Sequence, residues 1–323
     1  MSDFKPSFTW PASVPFRLFY ESGNVRVFII ENVQHNWNWL SECAEDIRPT
    51  DYFFVLGGWY QSEGFASEAN QIFSLLNLRK QNFFMMYNSP QEQKNFERYG
   101  FTGEILNQNA WLKEKQFGAT GAAKKFDAVY VGRRSAFKRH MLAEKVQSLA
   151  IIAGDNHGNA ISPVPEQAWL NPHKFTQAEV HKTLNESRCG LLLSAMEGAC
   201  FASSEYLLSG IPVVSTPSLG GRDVWYNDYN AIIAEPNPDA VAAAVETFVA
   251  NPRDPEKIIK MHIDQAEVYR KRFAKVFGDI LKRHGDGDVD AHLYFRQNFT
   301  PKMRAGMWHD DIVALFKGAR KAS

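Results

Sequence analysis

Residues 189–216 read "CGLLLSAMEGACFASSEYLLSGIPVVST". An apolar run of strand length, "CGLLLSA", leads into a segment of small residues. The helical stretch "SSEYLLSG" follows and ends at Gly210. "IPVVST" is then a second short, β-branched run. Strand, helix and strand in so few residues predict a parallel pair joined by a crossover helix.

The same alternation extends to both sides. Upstream, "VRVFII" (25–30), "DYFFVLGGW" (51–59), "NFFMMYN" (82–88) and "EILNQ" (104–108) read as strands. Between them lie a helix over 67–80, with Ile72, Leu75, Leu76 and Leu78 as its inner face, and a Ser89-capped helix ending at Gly100. After the loop "FGATGAAKK" (117–125) the pattern restarts. "FDAVYVG" is a strand, "FKRHMLAEKVQSL" (137–149) a helix, "AIIAG" a strand and "TQAEVHKTLNES" (176–187) a helix. "AIIAE" (231–235) and the Asn237-entered helix "NPDAVAAAVETFVAN" complete the set. The expectation is an α/β protein of two domains, each a parallel sheet with crossover helices. The boundaries are 1–120 for a short first domain, 121–295 for the second, and a terminal helical segment over 296–323.

The whole chain bounds its partners. It has 323 residues, 45% of them hydrophobic, and Lys+Arg and Asp+Glu both number 36. Zero net charge argues against a general nucleic-acid binder. The first 110 residues hold 8 basic and 12 acidic side chains, so positive charge gathers in the remainder, notably between Lys124 and His140. That pattern suits a local anionic ligand. Three cysteines, Cys43, Cys189 and Cys200, lack metal-ligand spacing and fit a reducing, cytoplasmic setting. The start of the sequence shows no signal pattern, and no apolar run approaches the ~20 residues of a membrane span.

Three segments carry candidate chemistry, each just past a predicted strand end, where α/β sheets bind ligands. In "VYVGRRSAFKRH" (129–140), Gly132 lets the chain turn. Arg133 then offers a bidentate fork and Lys138 a mobile point charge to one anion. In "EGACFASSE" (197–205), Glu197 and Glu205 would lie ~12 Å apart along one continuous helix. That exceeds the ~5–9.5 Å of a glycosidase acid pair. A loop position for Glu197 and a helix position for Glu205 make them clamps on different hydroxyls, with backbone near Gly198 and Ala199 free to approach a ligand. In "STPSLGGRDVWYND" (215–228), Gly220 and Gly221 can bring backbone N–H groups to a phosphate or sugar. Taken singly, each also reads as ordinary structure: a basic surface helix, a solvent-facing acid, a plain turn.

The order and spacing of the three together resemble the retaining GT-B glycosyltransferases of the group 1, or GT4-like, family. There a strand leads into G-R-x4-K, then E-G and E-x7-E, then G-x-P-V-V and a Gly-Gly loop. The resemblance covers about residues 125–250, and "ILNQNAWLKEKQF" (105–117) is similar to the family's hinge. It implies two Rossmann-like domains facing a cleft, with a C-terminal helix crossing back to the first. It implies a nucleotide-diphosphate sugar as donor, UDP- or GDP-linked, with no further cofactor and no metal. Arg133 and Lys138 would bind the diphosphate and Glu197 the donor sugar, beside Gly198 and Ala199. Glu205 would bind the ribose, and Gly132, Gly220 and Gly221 would line the donor site. The acceptor would be a glycan, a lipid-linked or a small molecule, in surface glycan or glycoconjugate synthesis, with peripheral contact at the inner membrane face compatible with that role.

The sequence departs from the family in reading "EGAC" where E-G-F-G is common, in its short first domain, and in lacking an early Gly-Gly loop. His35, after a strand-like run, is the candidate for the His that many relatives carry at the acceptor side. A nucleotide-sugar epimerase, a phosphorylase or a catalytically silent scaffold on the same fold are the rival readings. "HGDGDVDAH" (284–292) contains Asp-x-Asp but follows a basic helix and reads as a solvated loop. "VYRKRFAKVFGDILKRH" (268–284) reads as an amphipathic helix packing through Tyr269, Phe273, Val276, Phe277, Ile280 and Leu281. Trp37, Trp39 and Trp59 fit core or rim packing as well as sugar stacking. Trp308 is the expected anchor of the terminal helix.

Overall fold

A computed structural model describes residues 4–10, 13–156, 158, 160–303 and 305–320. The chain divides into two compact units, residues 1–111 with 267–323, and 112–266. These boundaries differ from the 120 and 295 expected from the sequence. The reason is one uninterrupted helix of 29 residues, Pro255–Arg283, in which the second break falls.

The first unit is a six-stranded sheet. Its parallel strands are β2 (Arg26–Glu31), β3 (Asp51–Leu56), β4 (Phe83–Tyr87) and β5 (Thr102–Ile105), in that spatial order. β1 (Ser13–Glu21), which the sequence reading passed over, runs antiparallel to β2 and to a short edge strand, β12 (Gly306–Trp308). β2 and β3 are buried along their whole length, as parallel strands covered on both faces must be. Helices α1 (Trp37–Cys43), α2 (Glu63–Leu75) and α3 (Pro90–Glu97) connect them. Ser89 caps α3 through the Glu92 amide, as expected. The inner face of α2 is Ala66, Ala69, Ile72 and Phe73; of the face read from the sequence, Ile72 is buried and Leu76 and Leu78 pack on the core just past the helix end, while Leu75 is exposed.

The core of this unit is aromatic: Trp39 and Phe53 stack with Phe316, Phe28 and Phe16 pack against it at an angle, and Phe83 stacks on Phe53. Trp39 is therefore a core residue. Phe316 belongs to the C-terminal helix His309–Arg320, whose buried anchors are Ile312 and Phe316. Trp308 is 62% exposed and does not anchor it, because it lies on the edge strand rather than on the helix. The helix face of Tyr269, Phe273, Phe277, Ile280 and Leu281 is buried as expected, against Phe19 and Phe54 among others. In the Asp-x-Asp loop, Asp286 accepts from Tyr20 and Asn24, and Asp290 caps the short helix Ala291–Gln297.

The second unit is an all-parallel sheet of β6 (Phe126–Val131), β7 (Leu149–Ile152), β8 (Trp169–Leu170), β9 (Ser187–Leu192), β10 (Val213–Ser215) and β11 (Ala231–Ile233). The spatial order is β11-β10-β9-β6-β7-β8. The chain starts in the middle, winds outward one way through β7 and β8, then returns to the centre and winds the other way. That is the doubly wound Rossmann order, and its switch point lies between β6 and β9. Helices α4 (Gln177–Asn185), with a Thr176/Glu179 capping box, and α5 (Phe201–Leu208) make crossovers, and α6 (Pro238–Ala250) follows the last strand.

Residues 137–149 are not a helix. They form two short 3-10 turns, 136–138 and 140–143, before β7 begins. Arg139 between them is left-handed, at φ 52°, which no α-helix accommodates. Its guanidinium holds the break, donating to the Leu193 carbonyl at 2.5 Å and to Thr216 Oγ1 at 2.8 Å.

Candidate active site at the switch point of the second sheet

The β6–β9 ladder runs only to Val129 opposite Gly190. Beyond it the strand ends diverge, and two buried tyrosines fill the gap. Tyr206, from α5, accepts from the Val131 amide at 2.7 Å and donates to the Leu191 carbonyl at 3.3 Å. Tyr130 donates to the Lys138 carbonyl at 2.5 Å and accepts from the Leu193 amide at 3.3 Å. Gly190 is needed for this arrangement, since a Cβ there would come within 2.2 Å of the Tyr206 ring. The loops after β6 and β9 are thus fixed to one another by hydroxyls that satisfy otherwise orphaned backbone groups.

The sequence-predicted residues of the three segments meet here. Gly132 directly follows β6, and the turn after it delivers Lys138, only 8% exposed. Its ammonium pairs with Glu197 Oε1, in the loop between β9 and α5. Glu197 is 6% exposed. The Ser194 hydroxyl donates to the same oxygen at 2.7 Å. Arg133 is half-buried, its guanidinium 5.3 Å from the Phe137 ring centre, with Lys138 Nζ at 5.2 Å from that ring. Glu205 is on α5, half-buried. The two acids therefore occupy different elements, as expected for separate clamps. His35 is in the first unit, packed edge-on against Phe8 and Trp10, with Nδ1 3.7 Å from Glu31 Oε1.

The Gly-Gly segment packs on the Glu197 loop. The Glu197 amide donates to the Leu219 carbonyl at 2.9 Å, and the Gly221 amide to the Gly198 carbonyl at 3.0 Å. Gly220 has φ 119°, and a Cβ there would sit 1.9 Å from the Glu197 carbonyl oxygen. Gly132 is different: its backbone is not left-handed, and a Cβ would meet only the Lys138 stem at 3.4 Å. Cys200, directly before α5, is left-handed at φ 54°. Burial and the Glu197 charge push its thiol up to about 11, so it stays protonated.

Sequence reasoning missed Ser194, Arg139 and Arg222. Arg222 is fully buried and follows the Gly-Gly pair directly; the placement of a charge beside two glycines was the available signal. Burial and the Arg222 charge lower Arg139 from its ordinary value. Burial raises Asp223, with Arg222 opposing. His140, stacked on Tyr130, is pushed down to about 4 by burial and by the Lys138 and Arg134 charges. Cations from the ends of β6 and β10 thus gather around the loop that carries Glu197, and Lys138 pairs with its carboxylate. Arg139 and Arg222 spend their donors on backbone carbonyls and hydroxyls of the loops. Among the described residues, no three His, Cys, Asp or Glu side chains are placed to hold a metal ion, and no helix is long and apolar enough to cross a membrane.

The family model described as glycosyl transferases group 1 matches residues 169–264. No curated protein matches the sequence. Among solved structures, TarM aligns with TM-score 0.58 at 13% identity, over 78% of this chain; the chain spans 54% of TarM's length. Sucrose-phosphate synthase from Thermosynechococcus elongatus aligns with TM-score 0.56 at 12% identity, over 77% of this chain and 74% of its own. HepE from Anabaena, solved with UDP, aligns with TM-score 0.53 at 12% identity, over 71% and 72%. At these identities the likeness is one of fold. The fold is GT-B, and the segment that matches the group 1 glycosyl transferase model holds Glu197, Glu205 and the Gly-Gly loop.

Proposed function

We propose that this protein is a group 1 glycosyltransferase that moves a sugar from a nucleotide-diphosphate donor to an acceptor hydroxyl with retention of anomeric configuration. The observation that carries the reading is the position of the Lys138–Glu197 pair. It lies at the switch point between β6 and β9, where doubly wound sheets take their ligands, within reach of the family-matched Gly-Gly loop. Arg133 and Lys138 bind the diphosphate and stabilise the charge that develops as it leaves. Glu197 holds the donor sugar, beside the backbone of Gly198 and Ala199. Glu205 holds the ribose hydroxyls. The leaving phosphate takes the acceptor proton, so the site needs no separate carboxylate base. HepE's UDP supports a uridine donor, with GDP-sugars as the alternative. The acceptor is a glycan, a lipid-linked saccharide or a small molecule, and His35 is the candidate contact on its side. The setting is the cytoplasm.

The test is a panel of UDP-, GDP- and ADP-sugars, read by thermal shift and by nucleotide release. Binding stabilises the native state by mass action, so a donor raises the melting temperature and its diphosphate product accumulates. A protein that neither shifts nor releases nucleotide with any of them refutes the reading.

A further inference from the structure

The carboxylate of Glu197 is held by a chain of contacts that begins at Arg222. The Arg222 guanidinium donates through Nη1 to Ser194 Oγ at 2.8 Å, through Nη2 to the Thr216 carbonyl at 2.6 Å, and lies 3.3 Å from Asp223 Oδ1 through Nε. Ser194 Oγ donates in turn to Glu197 Oε1 at 2.7 Å. Lys138 Nζ reaches the same oxygen. Arg222 and Ser194 are both fully buried.

A serine hydroxyl has one proton and rotates to suit its neighbours. Arg222 is donor-only, so it claims a lone pair of Ser194 and leaves the proton to point at Glu197. Burying a guanidinium completely is costly unless its donors are met. The Thr216 carbonyl and Asp223 meet two of them. Ser194 Oγ meets a third. The third contact leads only to Glu197.

We propose that Ser194 and Arg222 are positioning residues for Glu197. Arg222 fixes the Ser194 hydroxyl, and Ser194 and Lys138 together fix Oε1, which leaves Oε2 to a hydroxyl of the transferred sugar. Specificity for the sugar's stereochemistry then depends on a side chain two shells from it. The role rests on the glycosyltransferase reading above.

The experiment uses the full chain and the nucleotide sugar that it turns over fastest. Ser194→Ala removes the hydroxyl with little change of volume. The expected result is a fall in kcat of about 10–100-fold, the loss of a hydrogen bond to a charged group, with the dissociation constant for the nucleoside diphosphate within about twofold of wild type. In a Glu197→Gln background, Ser194→Ala is expected to add less than about threefold, since its effect runs through that carboxylate. Arg222→Lys keeps the charge but loses the fork, and follows Ser194→Ala if it folds; if it does not, the Ser194 pair of measurements decides. An active wild type in which Ser194→Ala leaves kcat within twofold overturns this role alone. So does a Ser194→Ala loss that is undiminished in the Glu197→Gln background, or one matched by weaker diphosphate binding. A wild type that turns over no donor overturns the reading of the site and this role with it.

Discussion

Gly220 and Gly132 both lie in the candidate site, yet they should respond oppositely to a single added methyl group. At Gly220 a Cβ would meet the Glu197 carbonyl oxygen at 1.9 Å, its carbon at 2.9 Å and the Gly198 carbonyl oxygen at 3.1 Å. All three are backbone atoms, so no side chain can rotate away. Restoring ordinary contact requires the two loops to part by roughly 1.5 Å. That movement breaks the Glu197-to-Leu219 and Gly221-to-Gly198 hydrogen bonds, worth about 1 kcal/mol each. An alanine at φ 119° adds strain of about 1–3 kcal/mol. Gly220→Ala should therefore cost about 3–5 kcal/mol, or a fall on the order of 10 °C in the melting temperature of the second unit. If the loops relax instead, Glu197 moves, and a misplacement of about 1 Å costs on the order of 100-fold in turnover. Gly132→Ala meets only the flexible Lys138 stem at 3.4 Å, in a backbone conformation open to any residue. Its melting temperature should stay within about 2 °C of wild type. Scanning calorimetry together with donor turnover checks both. A Gly220→Ala protein with wild-type melting and wild-type turnover, or a Gly132→Ala protein damaged as badly, would refute the reasoning.

Lys138→Ala and Glu205→Ala should each weaken nucleoside-diphosphate binding at least tenfold by calorimetry; unchanged affinity in both removes them from the donor site. Lys138→Ala should also lower the melting temperature, because it strands the Glu197 carboxylate in a buried place, and adding Glu197→Gln should recover most of that loss. Glu197→Gln alone should reduce turnover at least tenfold more than it reduces diphosphate binding, whereas equal losses argue against contact with the sugar. His140 is held near 4 in the folded protein against about 6.5 when unfolded. Its contribution is therefore complete above pH 6.5 and is lost as pH falls through the window to about 4, on the order of 3 kcal/mol. His140→Phe should flatten the acid limb of second-unit stability over that window, and an unchanged limb assigns the acid sensitivity elsewhere.

Buried parallel strands were legible because their apolar runs stand between turn residues, and helices were legible where a cap marks them. Ser89 and Asn237 do both jobs of ending a loop and starting a helix. β1 was hard to read because Pro15 interrupts its run, which demotes a stretch from a strand reading. The stretch after β6 was misread for a different reason. "FKRHMLAEKVQSL" has helical composition, but the tertiary bonds of Arg139 to Leu193 and Thr216 outweigh that propensity and impose a left-handed residue. Propensity is a weak prior against two hydrogen bonds from a cation. The consequence is functional, since the break at Arg139 closes the turn that carries Lys138 toward Glu197.

The segment between the two acids shows where a departure in sequence need not be a departure in structure. "EGAC" places cysteine where the related family commonly has glycine, which on its face suggests a lost turn. Cys200 nonetheless takes φ 54°, a conformation that glycine adopts freely and that costs another residue roughly 1–2 kcal/mol. The strain persists because the turn is fixed from both sides. Glu197 and Gly198 are bonded to the Gly-Gly segment before it, and Ser203 after it donates its amide to the Cys200 carbonyl and its hydroxyl to Tyr226. Because the thiol stays neutral, the substitution adds volume beside Glu197 without adding charge. Glu197 therefore stays in the loop and Glu205 on the helix, the separation that the proposed roles require, and the cost of the cysteine is local strain.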